Sequence, residues 1–506
     1  MKVHFRVGWR LCLGLAIVGP LAGCMMGPKY KRPETAADQA KTFAHAPQPP
    51  VEVNDVNKPD EWWKRFGDPT TADLVTKALE HNYDLKAGAA RVLQAQAALG
   101  QARGQLWPAA SYNLMGDRSK RFFNFGSGDM ELPPPFDELG SAFSPVTTTW
   151  SQSISVTYLL DLFGKLRRAQ RAAWENLLAS SASQQAVTNS VVASVIQARV
   201  NIATLERRLS IARANVKSWE RTVEITERRY NEGLIGPVAV RLARTNLETA
   251  LAQEPALRLS LATTANALDV LLAQPPGASP SLPTTLPDLP ELEAVPVGVP
   301  AALLDRRPDV RAAEFQLMVA NEQVGISIAQ LFPDLALTGS YGFSGTTWND
   351  IWKPSTQSEI YSTIMSVSAP IFQGGRLRAQ IRASKARFSE LAAVYAGVVL
   401  TAMREVEDSL VAEQLLQEQL KHAVLRVREA QAGEELAQQR YAQGVENILT
   451  VLEAQRQLRT AEEVLAILKG QIWITRVNLH LALGGDWTAG KSSEKRVARE
   501  KPEKAK

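Results

Sequence analysis

The stretch QRYAQGVENILTVLEAQR, Gln439 to Arg456, decides how this chain is read, because RRYNEGLIGPVAVRLART, Arg228 to Thr245, is a worn copy of it. Arg229, Tyr230 and Gly233 correspond to Arg440, Tyr441 and Gly444 at a constant offset of 211 residues. Each copy is a tight turn, Asn231–Gly236 and Gln443–Glu446, set between long helix-like segments. A turn carried twice points to an internal duplication.

The duplication extends over most of the chain. NYDLKAGAA from Asn82 answers RPDVRAAEF from Arg307, and Leu106-Trp107-Pro108 answers Leu331-Phe332-Pro333, both at an offset of 225. GKLRRAQRAA from Gly164 then answers GRLRAQIRAS from Gly375 at 211, so the first half holds about 14 more residues between these points. The excess falls in FFNFGSGDMELPPPFDELGSAFSP, a loop rich in Gly and Pro.

Each half predicts the same parts. Two segments alternate like strands: Val146, Thr148, Trp150, Ile154, Val156, Tyr158 and Leu160 on one face against Thr147, Thr149, Ser151, Ser153, Ser155 and Thr157 on the other. Their partner sets Ala110, Tyr112 and Leu114 against Ser111, Asn113 and Asp117. In the second half Leu335, Leu337, Tyr341, Phe343, Tyr361, Met365, Val367 and Ile371 oppose Ser362, Ser366 and Ser368. Apolar-out, polar-in alternation suits a membrane barrel with a wet lumen, whereas a soluble sandwich needs more than four strands.

Between each hairpin and its tight turn lie 68 residues, Lys165–Glu232 and Arg376–Gln443. The first has no Gly or Pro, and the second only Gly397 and Gly433. As helices they would reach about 100 Å. Val191, Val195, Ala198, Ile202, Leu205, Leu209, Ala212, Val216, Trp219 and Val223 form a coiled-coil seam, a packing stripe. Shorter helices, about Leu74–Gly104 and Val238–Ala273, together match that length, and would line the same helical wall. Pro275–Pro308, with nine prolines, would leave it as an outer belt. Pro255 should kink its helix or remove a backbone bond.

Composition is that of an ordered chain, 45% hydrophobic and 22% charged. The net charge of +5 sits at the ends: the first 23 residues carry +3 and the tail from Thr488 carries +4, leaving the body near −2. No basic groove for nucleic acid is evident. Lys2, Arg6 and Arg10 precede an apolar run from Leu11 to Leu21, the pattern of a secretory signal. Leu391–Met403 is the longest later apolar stretch recognised, 13 residues between Glu390 and Arg404. It is short of the roughly 20 needed for a spanning helix, so any spanning structure must be a barrel.

The signal ends in Leu21-Ala22-Gly23-Cys24, which resembles the lipobox of bacterial lipoproteins. That resemblance implies cleavage before Cys24 and acylation there, palmitate included. With Cys12 removed, the mature chain has one cysteine and no internal disulfide. Met25 stands where the inner-membrane retention signal usually has Asp, which favours the outer membrane. EWWKRFGDP from Glu61, ALEHNYDL from Ala78, LLDRRPDV from Leu303, APIFQGGRLRA from Ala369 and GVENILTVLEAQR from Gly444, in this order, resemble the outer membrane efflux channel family (TolC-like outer membrane factors), in its NodT-type lipoprotein branch.

The resemblance implies a mainly α, internally duplicated fold: a long helical coiled-coil tunnel plus four strands per chain in a shared 12-stranded barrel of a homotrimer. Four strands cannot close a barrel alone, so oligomerisation also follows from the unpaired edges. The expected divisions are 1–23, signal peptide; 24–73, lipidated extended segment; 74–273, first repeat with its hairpin about 106–162; 274–308, equatorial connector; 309–487, second repeat with its hairpin about 334–372; and 488–506, charged tail. Implied partners are a periplasmic adaptor, an inner-membrane RND-type pump and outer-membrane lipid, with no nucleic acid, cofactor or metal.

The resemblance also places a periplasmic gate on the second tip, with Leu449 as its apolar element and Glu453, where the family more often has Asp, as its acidic one. Arg241 and Arg244 are candidate gate partners on the first repeat, and Gly233, Gly236 and Gly444 shape the tips. The alternative for Glu453 is a solvated residue paired with Arg456. The mature chain has four His, no HExxH, no CxxC and no phosphate-binding Gly-Lys loop, so an enzyme has little to stand on. The remaining rivals are a channel for type I protein secretion and a non-channel periplasmic lipoprotein scaffold.

Overall fold

The structure is a computed structural model. It describes residues 25–40, 42–45, 61–124, 142–278, 282–283, 286–287, 303–353 and 358–484. The signal, Cys24, residues 125–141, most of the connector and the tail lie outside the described residues. In chain order the elements are α1 (Ala36–Gln39), a 3-10 turn (Trp62–Phe66), α2 (Pro69–His81), α3 (Tyr83–Gly104), β1 (Ala109–Lys120), β2 (Phe123–Asn124), β3 (Ala142–Phe143), β4 (Val146–Leu160), α4 (Lys165–Asn231), α5 (Pro237–Leu271), α6 (Leu303–Arg306), α7 (Pro308–Ala329), β5 (Asp334–Gly345), β6 (Glu359–Ser368), α8 (Arg376–Ala442) and α9 (Ile448–Ala482).

The duplication is visible in element lengths. α4 and α8 each hold 67 residues, α5 and α9 each 35, α3 and α7 each 22. The one expected helix over 74–104 is two, because Asn82 interrupts it. Its Oδ1 accepts from the Asp84 and Leu85 amides at 2.8 and 3.2 Å, which ends α2 and caps α3. The second repeat breaks at the matching Arg307, ahead of Pro308, since a residue before proline is disfavoured in helical geometry. The two breaks are tied alike: Asn82 Nδ2 donates to the Leu271 carbonyl at 2.9 Å, and Arg307 Nη1 to the Ala482 carbonyl at 3.1 Å. Leu271 and Ala482 are themselves 211 apart. α5 runs through Pro255 without interruption.

The chain forms two units. One comprises Met1–Lys31, Ala95–Asn176 and Met318–Glu390, and contains an antiparallel sheet in the order β1-β4-β5-β6. Its register separates two faces. Tyr112, Ile154, Tyr341 and Tyr361 form one row, and Tyr158, Leu337 and Met365 another. On the opposite face Ser111, Ser155, Ser340 and Ser362 line up; Ser111–Ser155 and Ser340–Ser362 are hydroxyl pairs at 2.8 Å. Met115, Leu159, Ile360 and Ile364 are apolar exceptions on that face. β1 and β6 each keep one edge unpaired among the described residues of the chain. In the same unit Arg168 is buried and bonds Glu322 at 2.9 Å and the Pro28 carbonyl at 3.2 Å, which fixes the segment after Met25.

The second unit comprises Arg32–Gln94, Leu177–Leu317 and Leu391–Lys506. Seven of the ten seam residues on α4 are buried, the other three half-buried, so the stripe packs. Val195, Ile196, Leu268 and Val477 are fully buried around it, at about 1.5–3 kcal/mol each. The EWWKRF segment closes this core: Trp62 stacks on His480 with centroids 5.3 Å apart and Phe66 on Trp473 at 5.1 Å. Buried charges are paired. Arg476 Nε donates to Glu413 at 2.6 Å, though burial still pushes the Glu413 carboxyl up. Arg307 meets Asp309 and Glu405, each at 2.7 Å. Burial disfavours the Asp309 charge, but the Arg307 bonds outweigh it and hold that carboxyl down.

One expectation about membrane spans changes. α8 contains an 18-residue window of mean hydropathy 1.3, apolar and long enough to cross a membrane by composition, and only 17% of it is buried within the chain. The 13-residue reading ended at the flanking charges Glu390 and Arg404. A window admitting two charges extends back past Glu390 to take in Arg387, and still stops before Arg404.

Candidate functional site: the hairpin tips

Both tips end a long helix in the same way. After α4, Gly233 takes φ +74°, its amide donates to the Tyr230 carbonyl at 2.9 Å, and Leu234 donates to Arg229 at 2.9 Å. After α8, Gly444 also takes φ +74°, with Gly444 to Tyr441 and Val445 to Arg440 both at 3.0 Å. This pair of bonds is a Schellman motif, which satisfies the last carbonyls and needs a left-handed residue. Glycine meets that need without the Cβ clash, which is why the stretch repeats.

The second helix of each tip starts differently. Gly236 precedes Pro237 at the first turn of α5 and offers no side-chain cap. At the equivalent place Asn447 caps α9, its Oδ1 accepting from the Leu449 amide at 3.1 Å. Ile448, Val451 and Leu452 turn inward and join Trp219, Ala250, Ala437 and Tyr441 in a buried cluster. Buried Gln455 donates to Ser218 at 3.3 Å and Thr222 at 3.2 Å on α4. Arg229 lies over the Tyr441 ring, 4.0 Å from its centroid, and donates to the Tyr441 carbonyl at 3.3 Å. The first-repeat turn is thereby tied to the second.

The expected gate residues fall on the outer side of this cluster. Leu449 is 47% exposed, and Glu453 follows one helical turn later, also exposed. Glu453 is paired: Arg456 Nη2 reaches its two oxygens at 2.7 and 2.8 Å, Arg456 Nε donates at 3.0 Å and Gln457 at 2.9 Å. Bonds from Arg456, then Gln457, hold the Glu453 carboxyl below its ordinary value. The solvated pairing that the sequence left open is therefore present within one chain. Arg244 does not meet Glu453 there, because it bonds Glu227 at 2.6 Å. Arg241 is exposed and makes no ion pair among the described residues.

Sequence reasoning missed what anchors the tips from behind. Glu434 is buried on α8, where burial pushes its carboxyl up, and Arg459 stands 3.9 Å away while bonding Glu462 at 2.7 Å. Gln455 and Thr222 carried no signal in sequence, being polar residues on otherwise apolar stripes. No group of His, Cys, Asp and Glu suited to a metal occurs among the described residues.

Comparison with known proteins accords with the two-hairpin design. The family model described as "Outer membrane efflux protein" matches residues 74–274 and 299–485. This chain belongs to that family. The match breaks across the Pro-rich connector, so each matched block holds one strand hairpin and one helical tip. Among curated relatives, the chain is 30% identical over 494 residues to the "Probable efflux pump outer membrane protein SepC" of Pseudomonas putida, covering 96% of this chain and 98% of the relative. It is 32% identical over 432 residues to the "Pyoverdine export outer membrane protein OpmQ" of Pseudomonas putida, with 85% and 89% covered. The solved outer-membrane channel OprN superposes with a TM-score of 0.80 at 27% identity, over 92% of this chain and 100% of that one. As a member of this efflux family, the protein is located in the outer membrane and extends into the periplasm.

Proposed function

We propose that the protein is the passive exit duct of a tripartite efflux system, passing small molecules from an inner-membrane RND-type pump and a periplasmic adaptor to the outside. The observation that carries this reading is the four-stranded sheet with one apolar face, one hydroxyl face and two unpaired edges. Edges exposed to lipid are not tolerated, so β6 of one copy pairs with β1 of the next until three copies close a barrel of twelve strands. The hydroxyl face lines the lumen and the apolar face meets lipid. The apolar window of α8, little covered in a single chain, would be covered by neighbouring copies.

The helical tips would close the duct at its periplasmic end. Three Leu449 side chains around the axis form a constriction that resists wetting, and three Glu453 carboxylates attract cations. Arg241 and Arg244 would face these groups from the first repeat, and the glycine turns at Gly233, Gly236 and Gly444 would let the tips converge. The adaptor and pump would draw the tips apart. The chain would perform no chemistry itself. Cys24, acylated after removal of residues 1–23, would add a lipid anchor to the same membrane. Light scattering of the detergent-extracted protein should give the mass of three chains. A stable monomer with full strand content would sink this reading.

A further inference from the structure

Trp150 lies on the apolar face of the sheet, in register with Gly116 on β1 and Gly345 on β5. Both partners lack a side chain, and each absence is used. A Cβ on Gly116 would enter the Trp150 ring, and one on Gly345 would meet Asp350. Residues 346–353 fold back into the space so left. Trp348 packs edge-on to Trp150 with centroids 4.9 Å apart, Trp352 packs on Trp348 at 5.7 Å, and Gln152 Nε2 donates to the Ile351 carbonyl. The Thr347 amide donates to Asp350 at 2.8 Å and closes the loop. Ile351 is completely buried, whereas Trp348 and Trp352 stay 45% and 50% exposed. The segment seals itself with an isoleucine and presents two indoles outward.

Parity tells which face the loop covers. Tyr112 Oη donates to Gln152 Oε1 at 2.8 Å, so Gln152 shares the face of Tyr112, Ile154 and Tyr341 rather than that of the serines. Position along the strand gives a height. From Leu160 to Trp150 is about ten residues, which at ~3.3 Å each and a tilt of ~40° rise by about 25 Å, the apolar band of an outer-membrane barrel. The Leu160 end is bracketed by Phe163 stacked on Phe332 at 4.7 Å and by Lys165 bonded to Asp334 at 2.6 Å. Beyond Trp150, the same face carries Arg118 opposite Thr148 and Lys120 opposite Val146, both exposed. Outward along this face the order is aliphatic, indole, cation. Indoles favour the boundary between acyl chains and headgroups, and cations favour the phosphates just above it.

We infer, taking the apolar face as lipid-facing as proposed above, that residues 346–353 are folded outward against the bilayer. Trp150, Trp348 and Trp352, with Arg118 and Lys120 above them, form a site for the anionic headgroup of an outer-leaflet lipid. The loop is a membrane anchor and does not obstruct the lumen.

Single nitroxide labels test this in the mature chain, whose only other cysteine is Cys24. Labels at Ile154→Cys, Ser155→Cys and Trp352→Cys are compared in vesicles of phosphatidylcholine with phosphatidylglycerol, by relaxation from oxygen against a water-soluble nickel chelate. The 154 label should favour oxygen, the 155 label nickel, and the 352 label oxygen at a depth near the phosphates. Lys353→Cys gives the same reading with both indoles in place. If 154 and 155 do not differ, the barrel reading itself fails. If they differ while 352 and 353 behave like 155 or like open water, the barrel stands and the outward loop is wrong. Arg118→Gln with Lys120→Gln should weaken phosphatidylglycerol binding, read by native mass spectrometry, by about fivefold per charge removed. Undiminished binding by an assembled variant would remove the headgroup site.

Discussion

At the first tip Gly236 and Pro237 open α5, Val238 stands 67% exposed and Arg241 and Arg244 point to solvent; at the second, Asn447 caps α9 while Leu452 and Gln455, in the places of Arg241 and Arg244, are buried. The turns before them are superimposable in bonding, down to φ +74° at both glycines. Backbone satisfaction thus keeps the turn while the next helix diverges. The second tip is bound into the helical core through Ile448, Val451, Leu452 and Gln455. The first buries only the smaller Val240 and Ala243 near its turn, and adds Arg229 on Tyr441 and solvated ion pairs. Any motion that parts the tips must break the Arg229–Tyr441 contact or the bonds of Gln455 to Ser218 and Thr222.

The sharpest way to break this contrast is to truncate equivalent positions. Leu452→Ala should lower the stability of the extracted protein by about 3 kcal/mol, the cost of a buried leucine and its cavity. Arg241→Ala, 211 residues earlier, should cost under about 0.5 kcal/mol. Both are read from denaturant unfolding followed by circular dichroism. Equal losses would mean that the first tip is gripped by a neighbouring copy and is not solvated.

A smaller effect tests what the tips share. Gly233→Ala and Gly444→Ala each force a Cβ into left-handed geometry, with open space around both, so each should cost about 1–2 kcal/mol by the same measurement. Markedly unequal costs would show that the turns are less alike than their bonding.

The smallest effect concerns pH. Because Arg456 and Gln457 hold the Glu453 carboxyl below its ordinary value of 4.5, it stays ionised as pH falls toward that value. Cation preference in bilayer recordings should therefore be flat from neutral pH down to about 4.5. A preference that fades well above that would mean that the assembled chains crowd three carboxylates together and override Arg456.

Much of this was legible in the residues because periodicity and punctuation are local. Gly-free, Pro-free runs marked α4 to within one residue, and alternation assigned the strand faces that the register bears out, except that Ile371 lies beyond the end of β6. Long-range pairings were not legible. Nothing adjacent in sequence indicates that Asn82 reaches Leu271, that Trp62 stacks on His480, or that the loop after β5 covers Trp150. Glu407 is a further case. By residue type it is a helix-surface carboxylate, yet it accepts from the His45 amide at 3.2 Å and its ring at 2.9 Å, fixing the N-terminal segment. A neutral control for charge removal on α8 is its neighbour Asp408, 71% exposed and 3.8 Å from Arg404.

Single-channel conductance of Leu449→Ala with Glu453→Ala in planar bilayers tests most directly whether the second tip closes the duct. Wild type and Asp408→Asn should conduct little and prefer cations, while the double variant, still trimeric and inserted, should conduct several times more with weaker cation preference. A double variant that conducts like wild type would contradict a gate at Leu449 and Glu453 and would move the closure to the first tip, at Arg241 or Arg244.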